Sequence, residues 1–398
     1  MANNLSSNIT RPLAKIFLEA FESSRVVTKT VNTQLLSGKF NPSTGTKVDF
    51  KRPHDYNSIR STGGDISAAA KSDIIAGKAT GTVQPYFTSA TEWSNIQEAL
   101  ELDQLDQILE PMARRLVTDL ELDLAKFMRI NTGLNYGARG TAVDAWSDVA
   151  GAGAMMDSVG VPMSDNKYYL MNPFTTTSLA SAQSGLNAAD GLVRTAFEKA
   201  QIASNFGGMK ALTSNALSSY TSGSTTDRSG DLKTAPDATY VTAKDTMQQT
   251  MVIETLGTGT IEAGDQIQVA GVNRLNIATR QLILDTTGAA VPWTGTVLAV
   301  VTIAGNEATV VVSGAAIYEA NGQYNNVDAA PAAGAVVTIL GAAATVYQPN
   351  LFYTEQAFGL GTVKLPKLYS TDTVATTSDG MSIRVSKYSD GDANTQKI

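Results

Sequence analysis

Between Thr226 and Val346 the chain reads as one short strand after another: TMVIETL, DQIQVAGV, QLILD, TVLAVVTIAG, EATVVVSG and AVVTILG. The runs recur at roughly ten-residue spacing with glycine-containing turns, a pattern that predicts a small all-β barrel or sandwich. The stretch before them, SYTSGSTTDRSGDLKTAPDA, is poor in large apolar residues and reads as a linker. The stretches after them, NLFYTEQAFGLGTVKLPKLYS and GMSIRVSKYSDGD, return to a mixed texture. The β segment therefore reads as inserted into a host domain, not appended to one. It carries five bases against eleven acids, a balance of −6 out of the whole chain's −7. An acidic module thus sits in a nearly neutral body.

The host reads as α+β. Leu105, Ile108, Leu109, Met112, Leu116, Leu120, Leu124, Phe127 and Met128 recur at three- and four-residue steps, the strongest helical signal in the chain. Pro111 would break a helix interior but suits a first turn, so the reading is a short helix ending near Glu110 and a long one over Pro111–Ile130. Asn131 and Gly133 close it. Helices are also expected over Leu13–Phe21, Asp144–Val159 and Leu192–Ile202, with a strand at Tyr168–Met171. Asn172 is placed to cap a further helix that has Pro173 at its first position. From Lys47 to Trp93, VDFKRPH and TGTVQPYFTSATEW read as two strands flanking a polar, Gly/Ala/Ser-rich stretch. That is a long hairpin. A two-stranded ribbon is marginal on its own, so it lies either on another part of the same chain or on a neighbouring subunit.

Catalytic chemistry finds little support. With 398 residues there is room for two or three domains, yet the chain has no cysteine and one histidine. Disulfides, thiolate nucleophiles and zinc or iron–sulfur clusters are excluded. There is no phosphate-cradling glycine loop, no nucleophile elbow and no EF-hand spacing. His54 reads as a loop side chain, and the reading is of a protein that is not an enzyme and needs no cofactor. Acids outnumber bases, which argues against a basic nucleic-acid binder. Thr286–Asn306 and Ala330–Thr354 are uncharged over long runs but are interrupted by Gly, Pro, Thr, Asn or Gln. They read as strands, not membrane spans, and no targeting segment is expected. Charged residues are only 17% of the chain against a typical ~25%, so neighbours are expected to cover much of its surface.

Several stretches, co-linear from end to end, carry a resemblance: VDFKRPH, GDIS with IIAGKATG, LEPMARRLVTDLELDLAKFM, NFGGMKALTSNAL, QPNLFY, LGTVKLPKL and SIRVSKYSDGDANTQK. In this order the chain resembles the major coat proteins of short-tailed double-stranded DNA bacteriophages of the Salmonella and Shigella type. The resemblance implies an α+β Hong Kong 97-type capsid fold with an inserted all-β barrel, six-stranded in this family. The implied parts are an N-terminal arm (1–36), an extended loop with its flanking strands (37–93) and a peripheral domain with a spine helix (94–131). An axial domain follows in two pieces (132–225 and 347–370), interrupted by the insertion (226–346), and 371–398 returns to the axial and peripheral domains. Relatives continue past SDGDANTQK with another aromatic-rich strand. Here the sequence stops at Ile398, so either that strand is missing from the sequence in hand or the sheet is completed differently.

The resemblance further implies a shell of hexamers and pentamers of this chain, with T=7 symmetry, in the virion, after assembly in the host bacterial cytoplasm. Its implied partners are a scaffolding protein, a portal protein, enclosed double-stranded DNA bound without sequence preference, and in some cases a decoration protein. No membrane is involved. Arg60, Asp65, Lys71 and Asp73 at the hairpin tip are expected to meet Arg114, Arg115 or Glu121 of a neighbour. Asp237, Lys244 and Asp245 fall in the Thr234–Gln249 loop that would cross local two-fold axes. Two other readings stand beside this one. The first is a monomeric β-rich binding or adhesin protein using Trp293, Tyr318 and Tyr324. The second is an encapsulin-like compartment shell.

Overall fold

The computed structural model describes residues 18–33, 45–94, 105–184, 199–200, 202–363, 365–368, 372–390 and 395–398. Most of the expected Leu192–Ile202 helix and most of the N-terminal arm lie outside the described residues. The chain divides into two compact units. One comprises Met1–Val48, Thr82–Ala125 and Thr354–Ile398, the other Asp49–Gly81 and Lys126–Tyr353.

In the first unit most of a 26-residue helix, Leu105–Ile130, supplies the core. Its four-residue steps bury Leu109, Ala113 and Val117 at 0–2% exposure. Ala113 and Val117 pack with Phe21, Met381 and Val385. Pro111 lies inside this helix and does not start a new one, which corrects the expectation of a break. Its ring removes one backbone donor, a penalty of ~3 kcal/mol in a helix interior. Burial of the flanking apolar face opposes it, at about 1.5–3 kcal/mol for each large side chain. Two small sheets complete the unit. Thr373–Thr376 pairs antiparallel with Ser382–Val385. Thr395–Lys397 runs between Tyr388–Asp390 and Glu92–Ser94, antiparallel to both.

The second unit holds a closed six-stranded barrel. Its strands follow the order Gln266–Asn273, Pro292–Val297, Ala308–Ser313, Gln248–Glu254, Ser229–Leu232 and Val336–Ile339, and the last closes onto the first. Every pairing is antiparallel. The alternating residues Met251 and Ile253, Ile267 and Val269, and Val310 and Val312 point inward around Trp293, all at 0–2% exposure. Inward side chains fill a barrel of this size, so it is a packed core without a channel.

The sequence misplaced two parts of it. QLILD forms only isolated bridges, and Leu282 and Leu284 are 41% and 55% exposed. Conversely, the presumed linker supplies the Ser229–Leu232 strand, which buries Leu232 completely. Gly230 explains the misreading: a Cβ there would stand 2.6 Å from the Glu254 carbonyl oxygen. A glycine that lets two backbones approach breaks the apolar alternation by which strands are recognised.

Beside the barrel, Lys167–Met171 and Met209–Thr213 pair in parallel within a four-stranded sheet that also holds Leu351–Thr354 and Asn205–Phe206. The helices Trp146–Val159 and Pro173–Ser184 supply Val149, Ala152, Met156 and Leu179 to its core. Asn172 caps the second helix as expected, its Oδ1 accepting from the Thr175 amide at 2.7 Å.

Candidate assembly surfaces

The hairpin is a two-stranded ribbon, Lys47–Lys51 against Lys78–Thr82. Its root rests on loops of the barrel in its own chain. Asp55 is ion-paired with Arg280. Asn57 donates from Nδ2 to the Asn321 carbonyl at 2.8 Å, and Gln323 donates from Nε2 to the Asp73 carbonyl at 2.6 Å. The Lys78 amide donates to Asp245 at 3.3 Å. Tyr324 stacks on Tyr240 with ring centroids 3.6 Å apart, and Ile75 packs against the apolar cluster these rings belong to. Gly77 lies so close that a Cβ would come within 2.8 Å of the Lys244 carbonyl oxygen. The two placements left open by the sequence thus separate along the ribbon, and its root takes the same-chain one.

The tip differs. Residues 58–68 are exposed throughout, and among the described residues the hydrogen bonds of 58–72 stay within the ribbon: the Ala69 amide to the Ile66 carbonyl, the Ser67 amide to the Asp65 carboxylate and the Asn57 amide to the Ser72 hydroxyl. Arg60, Asp65, Lys71 and Asp73 all face solvent. The Ser67 amide at 2.9 Å holds the Asp65 carboxyl below its ordinary range. Ile59, Ile66 and Ile74 are 37%, 43% and 78% exposed.

The three helix residues expected to receive that tip are occupied within the chain. Arg114 pairs with Glu110, and Arg115 with Asp119 at 3.1 Å, each one turn away on the same helix. Exposed pairs of this kind contribute about 0.3–0.5 kcal/mol, so both arginines remain available to a stronger partner. Glu121 is 4% exposed and points inward. It accepts from the Val26 amide, the Thr28 amide at 3.4 Å and the Thr28 hydroxyl at 3.5 Å. Burial pushes its carboxyl up, and these bonds only partly offset that. It is not a surface group, and the sequence held the clue: Glu121 follows Val117 by four residues on the buried stripe.

In the Thr234–Gln249 loop, Asp237 organises the short helix Tyr240–Ala243. It accepts from the Thr239 amide at 2.9 Å and from the Thr239 and Thr242 hydroxyls at 2.7 Å, which lower its pKa. Lys244 and Asp245 pair with each other at 3.0 Å. Among these candidates Asp237 is exposed, with Val241 55% exposed on the same crest. The aromatic trio of the binding-protein reading does not form a platform. Trp293 is 1% exposed in the barrel, donating to the Gly314 carbonyl at 2.9 Å, and Tyr324 is held in the stack with Tyr240. Asp55, Arg280 and Gln323, which anchor the ribbon, carry no signal in the sequence, because the pairs lie more than two hundred residues apart.

Among the described residues no three His, Cys, Asp or Glu side chains gather as metal ligands. His54 is exposed, and none of the described helices is long and apolar enough to cross a membrane. Similarity to known proteins points one way. The family model described as P22 coat protein, gene protein 5, matches residues 1–398. A major capsid protein of Acyrthosiphon pisum secondary endosymbiont phage 1 is 47% identical over 403 residues, covering 100% of this chain and 95% of the relative. Solved structures are related more loosely. A Mycobacterium phage Che8 chain is 14% identical with a TM-score of 0.35, over 73% of this chain and 89% of that one. The capsid of Cyanophage P-SCSP1u is 15% identical with a TM-score of 0.33, over 74% and 80%. A family model matched along the whole chain, and a relative nearly half identical to it, establish that this chain belongs to the P22 coat protein family, whose members are structural capsid proteins and not enzymes.

Proposed function

We propose that copies of this chain assemble into an icosahedral precursor shell and then a mature phage head around double-stranded DNA, in a Hong Kong 97-type arrangement of hexamers and pentamers. The phage type is short-tailed, as in the Salmonella and Shigella group. In this reading 1–36 is the N-terminal arm, 37–93 the extended loop and 94–131 the peripheral domain. The two axial pieces are 132–225 and 347–370, the barrel is an insertion over 226–346, and 371–398 returns to the host. A scaffolding protein templates the precursor, a portal protein occupies one vertex, and assembly takes place in the host cytoplasm. Maturation proceeds by rigid-body motion of packed domains.

The observation that carries the reading is the division of the ribbon. Its root is clamped on its own barrel, while its tip presents Ile59 and Ile66 with Arg60, Asp65 and Lys71 to solvent, and Ile74 stands exposed beside the root. The tip is the part that docks on a neighbouring copy, with Arg114 and Arg115 as receiving charges and Asp237 as a contact across local two-fold axes. Surface ion pairs contribute only about 0–1 kcal/mol each. A standard interface buries ~1,600 Å², so the apolar tip residues dominate over any one charge.

The test is co-expression with the scaffolding protein and electron microscopy of the product. Wild-type chains are expected to form closed shells. The triple variant I59S/I66S/I74S is expected to keep its unfolding midpoint and lose shells. Normal shells from that variant, or a wild-type chain that stays monomeric at high concentration, would overturn the reading. The near-neutral body also implies that the inner wall releases DNA readily, and tight, salt-sensitive DNA binding by the isolated chain would contradict it.

A further inference from the structure

We propose that a cleft at the last turn of the long helix binds a small oxyanion of the phosphate class. The cleft has a volume of about 530 Å³ and is lined by Lys126, Arg129, Tyr220, Ser224, Thr260 and Glu262, among others. All of them belong to the second unit.

The cleft is backed by guanidinium groups that lack enough anions. Asp265 is completely buried. Its Oδ2 accepts from the Gly223 amide at 2.9 Å and the Glu262 amide at 3.1 Å, while Arg228 Nη2 stays 3.9 Å from its Oδ1. Arg228 donates to the carbonyls of Gly341 and Leu340 at 3.0 and 3.2 Å, and Arg139 to that of Gly264 at 3.2 Å. Arg129 has no such carbonyl among the described residues. Its guanidinium lies over the Tyr220 ring, 4.3 Å from the centroid. Its Nε and Nη1 are buried and meet no acceptor among the described residues. Tyr220 is 8% exposed, and its hydroxyl has no hydrogen-bond partner among the described residues either.

Three guanidinium groups (Arg129, Arg139 and Arg228) thus share one buried carboxylate, Asp265, while Lys126 and Glu262 line the cleft itself. Burial of that surplus is felt directly: the Arg139 pKa is lowered to about 10 although Asp265 works the other way. Unmet, buried donors on a planar fork are a recognition element for oxyanions, because one phosphate accepts from several N–H groups at once. The Tyr220 hydroxyl supplies a further donor. The acidic balance of the surrounding module, −6 over 226–346, favours a single small anion over a polyanion that would have to run across it. Occupancy would brace the helix end to the short strands Tyr220–Thr221 and Thr260–Ile261.

Inorganic phosphate is the probe, titrated into the full-length chain at constant ionic strength with chloride as balance, and followed by calorimetry and by the unfolding midpoint. Wild type is expected to show saturable binding and a rising midpoint. R129Q is expected to weaken binding by about tenfold, the effect of losing a charged hydrogen-bonding partner. R129K should fall between the two. Y220F keeps the ring under the guanidinium and is expected to weaken binding several-fold, so it tests the site even if R129Q does not fold. Absent or unsaturable binding, or equal affinity in wild type and Y220F, overturns the proposal. Displacement of phosphate by a short DNA duplex at equal phosphate concentration overturns the small-anion reading.

Discussion

The barrel and the ribbon are both β-structure, and they solve the same problem in opposite ways. In the barrel every strand has two neighbours and an inward face, so Ile253, Ile267, Val310 and Val337 are completely buried. In the ribbon each strand has one neighbour and no face is covered along the tip. The barrel is therefore self-sufficient and sets its own geometry. The ribbon borrows order where Tyr240, Tyr324 and Gln323 reach it and must find the rest elsewhere. If the ribbon carries association as proposed, stability and assembly reside in different regions, and changes to the two should separate cleanly in measurement.

The sharpest way to break that contrast is W293A. Emptying the barrel centre is expected to lower unfolding free energy by about 3–5 kcal/mol in a denaturant melt. A loss as small as that of a surface change would mean the barrel does not carry the fold. Next is G230V. Its added side chain would meet the Glu254 carbonyl and the Ile253 methyl, at 2.6 and 2.9 Å from the Cβ position alone. Overpacking of this kind is expected to remove about 1–3 kcal/mol. A variant as stable as wild type would show that the Ser229–Leu232 strand can leave the barrel without penalty.

Y324A should act on the seam between the regions. Loss of the stack with Tyr240 is expected to remove about 0.5–1.5 kcal/mol beyond the lost area. Limited proteolysis should cut faster within 55–78 while the barrel strands stay protected. Unchanged cleavage there would show that the root is not held by the barrel. The smallest effect concerns Glu121, outside both regions. The folded chain holds its proton more tightly than the unfolded chain does, so ionising it as pH rises above the usual value near 4.5 takes stability away. E121Q is expected to lose that falling slope and to match or exceed the wild-type midpoint at neutral pH. A steeper loss in E121Q would mean that the charge itself stabilises the Val26–Thr28 turn.

Much of the architecture was legible because it follows from periodicity. The alternation in TMVIETL and EATVVVSG marks strands with one buried face, and both became barrel strands. The three- and four-residue steps through Leu109, Met112, Leu116, Leu120 and Leu124 mark one helix. The Asn172–Pro173 pair marks a helix start, and the capping bond is there. The failures are as physical. Gly230 hides a strand because close backbone approach demands a residue with no side chain. QLILD has the composition of a buried strand but finds no edge to pair with. Glu121 looks like a surface acid until the backbone amides of a distant turn come to meet it.

The sequence by itself determined the local choices: which segments are helix or strand, which residues are apolar enough to be a core, and where the negative charge accumulates. These depend on spacings of two to four residues, which the chain carries wherever it goes. Only the tertiary structure decided that Pro111 stays inside a helix, that Asp55 meets Arg280, and that Arg129 Nε and Nη1 are buried without an acceptor among the described residues. Each of those outcomes joins groups that are distant along the chain or balances a local penalty against burial. Neither a long-range contact nor the size of a burial term is encoded in the spacing of neighbouring residues.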